Sequence, residues 1–344
     1  MYREKLINIS KCIIASKSSR EEIQAAKDLS DFFSQFFLHE DEMPQQTKHT
    51  ETIIPGGVAL SPSDAAICLD DYLRTSRFIK ASYLAIQELL LTFPNQKINI
   101  LYAGCGPYAT ILMPLLPLLN KEDISIVLLD INAYSIQSAN KLMKKLDLTD
   151  YSVQVLQANA ITYKQPESKP LHLVITETMF RALIREPQVA ITANLAPQLC
   201  SGGILIPEEI KLSMHYSSFA KEPYLKSVDK DFLTLEANLP DYDEPAESNT
   251  LFSMNKNDNF SNKISHHTYQ FESDSFELPK EFSNRPDICI YTNVRIFKGL
   301  TLNSAESYIT NPYCVTSLFN LMNHTYFKLI YHFKDIPSWT YQLK

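Results

Sequence analysis

Between residues 97 and about 210 the sequence alternates short apolar runs with longer amphipathic segments, and few folds accept that rhythm. "KINILYAG", "SIVLLD", "YSVQVLQA" and "LHLVITE" are of strand length and rich in β-branched residues. "YATILMPLLPLL", "AYSIQSANKLMKKL" and "EPQVAITANLAPQL" have helical spacing. The first of these is expected to bend or break at Pro117, and the last to end at Gly202-Gly203. Strands and helices in this order build a parallel sheet covered by helices on both faces. Upstream, residues 1–50 read as helical, with "SSREE" offering a capped start to a packing or dimerisation helix. "PGGVALSPSDAA" reads as a turn-rich loop. It feeds a helix capped near Ser61 or Ser63 that continues, with one break, through "DDYLRTSRFIKASYLAIQELLLTF". After residue 210 the pattern turns to β in "EIKLSMHYSSF", "HHTYQFES", "DICIYTNVRIFKG" and "YFKLIYHF", with "NLPDYDEPAESNTLFSMNKNDNFSN" as a long polar loop. The expectation is an α/β protein in three parts. Residues 1–95 form an N-terminal helical segment and lid, 96–208 a Rossmann-like domain, and 209–344 a β-rich, barrel-like domain for substrate or dimer contacts.

Charge and composition narrow the function. The 344-residue chain carries a net charge of −7 and shows no basic stripe, which argues against a nucleic-acid partner. Its six cysteines are widely spaced without a C-x-x-C, as expected of reduced thiols in a cytoplasmic protein. The N-terminus lacks a signal-peptide apolar core, and no apolar run approaches membrane-spanning length. His266-His267 resembles a metal pair only superficially, because adjacent strand residues point to opposite faces, so no metal is expected.

Two of the seven glycines, Gly104 and Gly106, fall in "LYAGCGPYAT", directly after a strand. Glycine there lets the backbone approach a ligand. The next strand ends in Asp130, where an acid can accept both hydroxyls of a ribose or else cap the following helix. NAD and S-adenosylmethionine both use this layout. The third glycine of the nicotinamide fingerprint is replaced by Ala109. The fourth strand, not the first, carries the conspicuous acids: Glu177 and Glu186 in "TETMFRALIRE". Alanine is sometimes tolerated at that third position; it is the placing of these acids, with a helical chain before the sheet, that favours S-adenosylmethionine. Taken alone, Glu177 could cap a helix and Glu186 could pair with Arg181 or Arg185 on a solvated face.

The strand–"GCG" turn, Asp130 and the acidic loop resemble a class I S-adenosylmethionine-dependent methyltransferase, and more narrowly the protein arginine methyltransferases. Glu177, Met179, Leu183 and Glu186 stand in register with that family's double-E loop. "LAPQLCSGGILIP" follows it as a longer version of the family's proline–glycine turn, and Arg74-Thr75 matches its Arg-Thr pair. The resemblance covers roughly residues 65–315. It implies cofactor contacts from Arg74, Gly104, Cys105, Gly106, Asp130, Ile131, Asn159 and Ala160, with Arg74 on the cofactor carboxylate and Asn159 at the adenine edge. Asp70 or Asp71 is the plain ion-pair alternative for Arg74, and a turn role that for Asn159. Glu177 and Glu186 are the implied catalytic pair, with Met179 and Asn311 also facing substrate. Tyr102 stands where the family has an acid and Tyr108 where it has a third glycine. Thr310-Asn311-Pro312 replaces its Thr-His-Trp, so the pocket histidine and tryptophan are absent. A small guanidino substrate, L-arginine foremost, is therefore expected, in a homodimer. A protein arginine methyltransferase and a non-catalytic scaffold are the alternatives. His172, inside the fourth strand, is expected to be a core residue.

Overall fold

The computed structural model describes residues 1–36, 49–222, 249–257, 270–333 and 335–344. Helix α1 (Tyr2–Ala15) and helix α2 (Ser19–Phe33) form the N-terminal pair, and the Ser18 side chain caps α2 by accepting from the Glu21 N–H. A short hairpin follows, β1 (Thr52–Ile54) with β2 (Gly57–Ala59). Ser61 caps α3 (Pro62–Ile67), and after a break at Asp71 the 21-residue α4 (Tyr72–Thr92) runs to the edge of the sheet.

Five parallel strands form the centre: β3 (Ile98–Ala103), β4 (Ile124–Asp130), β5 (Val153–Gln157), β6 (Leu171–Thr176) and β7 (Leu199–Ile206). Their order is β5-β4-β3-β6-β7. Both faces are covered, which explains why the strands read as continuous apolar runs. Ile100, Tyr102, Leu128, Leu173 and Ile175 pack toward α1, α2 and α4. Leu101, Ala103, Leu129, Val174 and Leu205 pack on the opposite face with Ile191 and Leu195 of α6 (Gln188–Leu195). Helix α5 (Ala133–Lys145) crosses between β4 and β5 and is capped by Asn132, two residues beyond Asp130. Strands β3 and β6 are neighbours whose chains leave in opposite directions. Their C-terminal ends therefore open a crevice where α/β sheets bind ligands.

Two expectations for this region fail. "YATILMPLLPLL" is a series of turns ending in a 3-10 segment at Leu116–Leu118, not a helix. Ala109 has φ of 46°, and Pro114 and Pro117 cannot donate, so the helical ladder never forms. Helix α6 stops at Leu195, and Gly202-Gly203 lie inside β7 rather than at a helix end.

The C-terminal part holds two antiparallel sheets. In the first, β8 (Glu209–Ser217) pairs with β9 (Asn249–Asn255) and β12 (Asp287–Phe297). The second is built on β15 (Tyr326–His332), flanked by β10 (Gln270–Glu272), β11 (Phe276–Glu277) and β16 (Ser338–Leu343). Strands β13 (Leu300–Leu302) and β14 (Tyr313–Ser317) complete the first sheet on the free side of β12. Strand β9 falls where the sequence reads as polar loop; its buried Leu251, Phe252 and Met254 give it an inner face. Aromatic rings join the sheets: Phe252 stacks on Trp339 at 6.1 Å and meets Phe271 edge-on at 5.1 Å. Among the described residues no strand pairing links the two sheets. Residues 238–248 and 258–262 of the predicted loop, and His266-His267, lie outside the described residues.

Among the described residues no helix is long and apolar enough to cross a membrane, and no cluster of His, Cys, Asp and Glu could hold a metal ion. His172 is a core histidine: it is 1% exposed, its Nδ1 accepts from the Asn99 N–H, and its ring meets Phe93 at 4.7 Å.

Candidate active site

A cavity of about 910 Å³ opens at the crevice between the ends of β3 and β6. Every site residue read from the sequence lines it: Arg74, Gly104, Cys105, Gly106, Asp130, Ile131, Asn159, Ala160, Glu177, Met179, Glu186 and Asn311.

The glycine turn makes its floor. Gly104 has φ of 71°, and a Cβ there would fall 2.3 Å from the Thr178 side chain. Glycine is therefore required twice over, by conformation and by contact with the acidic loop. Asp130 is bound into the turn: its carboxylate accepts from the Gly106 N–H at 2.9 Å and from the Asn132 N–H at 2.8 Å. Burial raises its pKa, and those N–H donors pull it part of the way back. Each oxygen keeps a lone pair for a further donor. Asn159 holds a turn, its Oδ1 accepting from the Ile161 N–H at 2.9 Å. Tyr108 stacks on Phe33 of α2 at 5.4 Å and does not line the cavity, whereas buried Tyr102 does.

The loop from Thr176 to Glu186 is strained and held from several sides. Ala182, Leu183 and Arg185 all have positive φ, at 53°, 56° and 67°. Such conformations cost an L-residue roughly 1–2 kcal/mol each and require support from outside the loop. The β-rich half supplies it. Thr292 of β12 accepts from the Ala182 N–H at 3.0 Å, and the indole of Trp339, the only tryptophan, donates to the Ala182 carbonyl at 2.9 Å. The Tyr331 hydroxyl donates to the Leu183 carbonyl at 2.6 Å, and the Arg185 N–H reaches the Pro337 carbonyl at 2.8 Å. From the other end, buried Gln188 accepts from the Thr178 N–H at 2.8 Å and donates to the Thr176 carbonyl. Sequence reasoning missed Gln188, Thr292, Tyr331 and Trp339, because nothing local marks a side chain that braces a loop far away in the chain.

The N-terminal hairpin closes on the same loop. The Val58 N–H donates to the Arg185 carbonyl at 2.8 Å, and Arg185 pairs with Glu51. A Cβ on Gly57 would lie 2.6 Å from the Pro187 nitrogen, so only glycine permits this approach to the second glutamate.

The two acids are not equivalent. Arg74 donates to Glu177 at 2.7 Å, stands 3.9 Å from Asp71 and also reaches the Cys68 carbonyl. Arg74 lines the cavity, but its close partner is Glu177 rather than the expected Asp70 or Asp71, of which only Asp71 comes within 3.9 Å. Burial, which works against the Arg74 charge, is outweighed by Glu177 and then Asp71, and the guanidinium is held firmly protonated. Burial likewise raises Glu177, and Arg74 opposes that shift. At 2.7 Å from a permanent cation, Glu177 is the better stabilised anion of the two. Glu186 is 8% exposed, and no donor among the described residues reaches its carboxyl. Burial, followed by the neighbouring Glu177 charge, pushes its pKa up to about 8. Neither Arg181, which lies over the Phe180 ring, nor Arg185 pairs with it.

No protein-family model matches the chain, and no curated protein does. Similar solved structures include the Trypanosoma brucei PRMT1 enzyme–prozyme heterotetrameric complex with AdoHcy. It has 12% identity and a TM-score of 0.48, with 77% of this chain and 86% of that one covered. Arabidopsis thaliana protein arginine methyltransferase 10 shows 11% identity and a TM-score of 0.48 over 80% and 96% of the two chains. PRMT6 shows 11% identity and a TM-score of 0.44 over 76% and 99%.

Two outcomes follow from this geometry. Thr292→Val keeps the shape but leaves the Ala182 N–H buried without a partner, a loss of roughly 1–3 kcal/mol. Amide exchange over residues 180–186 should quicken while that of β3 and β4 stays slow; unchanged exchange in the loop would show that the clamp is not needed. Glu186→Gln should stabilise the protein at alkaline pH. The folded-state pKa of Glu186 lies above its unfolded value, so its burial costs stability increasingly as pH rises from about 4.5 to about 8. The melting temperature of Glu186→Gln should therefore exceed that of the parent at pH 9 and converge with it at pH 5; an equal offset at both pH values would contradict the assignment.

Proposed function

We propose that this chain is an S-adenosylmethionine-dependent N-methyltransferase acting on a guanidino group, with free L-arginine as the leading substrate. The observation that carries the proposal is Glu186: a buried carboxyl without a donor among the described residues, beside a second buried carboxylate, at the mouth of a glycine turn. Such a group calls for a cation. A guanidinium is planar, permanently charged and able to donate charge-assisted hydrogen bonds to two acids together.

The cavity residues fit the cofactor. Arg74 offers a cation for its carboxylate, Gly104 and Gly106 the close backbone approach, Asp130 its remaining lone pairs for ribose hydroxyls, and Ile131 with Ala160 an apolar bed for the base. Bound there, S-adenosylmethionine supplies an electrophilic methyl group on sulfur. The protein's own contribution is to hold and polarise the acceptor. Glu177, fixed by Arg74 and by the Met179 N–H, is a positioned anion. Glu186 loses its proton when the guanidinium arrives. Both acids draw positive charge toward the nitrogens they grip, and the remaining nitrogen gains lone-pair character. The rate comes from orientation and from a fixed charge pattern shielded from water.

A small substrate is supported by the covering of the site. The hairpin residues Val58 and Ala59, together with Leu60, line the cavity beside Asn311, and among the described residues no histidine or tryptophan lines it. We assign residues 1–95 to the lid, 96–208 to cofactor binding and 209–344 to loop support and subunit contacts.

Two measurements test the reading. Calorimetry should detect S-adenosylhomocysteine and show roughly tenfold weaker binding to Asp130→Asn, the scale for losing one charged acceptor; no binding by the parent would refute the cofactor. Turnover of L-arginine, agmatine and an arginine-rich peptide should be compared by mass spectrometry, with arginine the best. For the accepted substrate kcat/KM should rise about tenfold per pH unit up to about 8 and then level, because Glu186 must be ionised to receive a cation. Glu177→Gln and Glu186→Gln should each abolish most turnover while leaving cofactor affinity nearly intact. Peptide turnover without arginine turnover would move the assignment to a protein methyltransferase, and activity on none of the three would favour a scaffold.

A further inference from the structure

Away from the cavity, β12 and its two neighbours carry a row of reactive side chains. Cys289 of β12 lies directly opposite Cys314 of β14 on one side and His215 of β8 on the other. Opposed residues in antiparallel strands point to the same face, with Cα atoms about 4.5–5.5 Å apart. That separation lies inside the window in which a disulfide closes without moving the backbone. Each thiol perturbs the other, the pKa of Cys289 being raised and that of Cys314 lowered, and Cys314 Sγ donates to the Thr316 carbonyl at 3.8 Å. Both cysteines are free thiols.

The strand register leads us to infer that Cys289 and Cys314 form a reversible dithiol–disulfide couple, closed by a peroxide-class oxidant and reopened by a small thiol. The two cysteines have distinct roles. Cys289 is fully buried, while Cys314 is partly exposed, so Cys314 meets the oxidant. The hydrogen bond from Cys289 favours the Cys314 thiolate and lowers its pKa. The thiolate attacks one peroxide oxygen, the O–O bond breaks, and a sulfenic acid forms as the other oxygen leaves as water after taking up a proton. Cys289 sulfur then attacks the sulfenic sulfur, the S–O bond breaks, and the second oxygen leaves as water with the Cys289 proton. Two electrons pass from the sulfur pair to the peroxide, and the balance closes. His215 takes no proton in this scheme, because burial, followed by the Arg285 and Lys211 charges, lowers its pKa to about 4.

The bond would act on the part of the fold that carries the site. Strand β12 supplies Thr292, which holds the acidic loop, and β14 begins just after Asn311, which lines the cavity. A covalent tie between the strands would fix those two elements to each other.

The test is dilute full-length protein treated with a small excess of hydrogen peroxide, then alkylated and digested. The expected result is loss of two of the six thiols per chain, a cross-linked peptide pair joining Cys289 to Cys314, and recovery of both thiols with dithiothreitol. Cys289→Ser should stop at sulfenic acid on Cys314 and form no intramolecular cross-link. Cys314→Ser should leave Cys289 reduced. A parent protein that keeps all six thiols, cross-links a different pair, or accumulates sulfinic acid on Cys314 without cross-linking would overturn the inference. If either serine variant is unfolded by circular dichroism, the parent peptide map decides alone.

Discussion

Ala182 is gripped at both of its backbone polar groups, its N–H by Thr292 and its carbonyl by Trp339. The rest of the site depends on that grip. Three residues in the left-handed region would relax in an isolated peptide, and the two glutamates on either side of them would lose their fixed separation. The parallel sheet contributes only the loop's starting point at Thr176. The β-rich half contributes its shape. A sheet pair that reads as an accessory is thus a jig for the one loop that carries the acids.

Charge placement follows from the same constraint. Two carboxylates cannot both be anions in a buried space without compensation. Arg74 compensates Glu177 with a 2.7 Å bond, and Glu186 is left to take up a proton. The free protein thus rests with a positioned anion and a neutral acid side by side. Desolvation supplies the drive to attract a cation, and Arg74 decides which acid is already charged.

The sequence made the scaffold legible and the brace invisible. The sheet strands announce themselves because a two-sided parallel sheet demands unbroken apolar runs. The register of Glu177, Met179, Leu183 and Glu186 made the loop legible; Glu177, Met179 and Glu186 reach the cavity, while Leu183 packs into the core. The segment after the glycine turn misled, since its leucines have helical spacing while its prolines forbid the ladder. Strand β9 was hidden by the polar residues on either side of "NTLFSMN", and only its partner β8 gives its buried face a purpose. The two-sheet arrangement was equally hidden, because alternation marks a strand but not which strands lie opposite. Arg74's attachment to Glu177 and the loop's four anchors join residues far apart in the chain. No local pattern encodes such pairs.

The distance along the chain between the loop and its anchors has a consequence for synthesis. The Tyr331 and Trp339 bonds span 148 and 157 residues. At a translation rate of about 5–20 residues per second, the glutamates emerge roughly 7–30 s before the strands that shape their loop. During that interval the nascent chain has its sheet strands available but no means of holding two acids apart. A ribosome-bound intermediate thus lacks the two-acid arrangement, which is assembled only when the last strands dock.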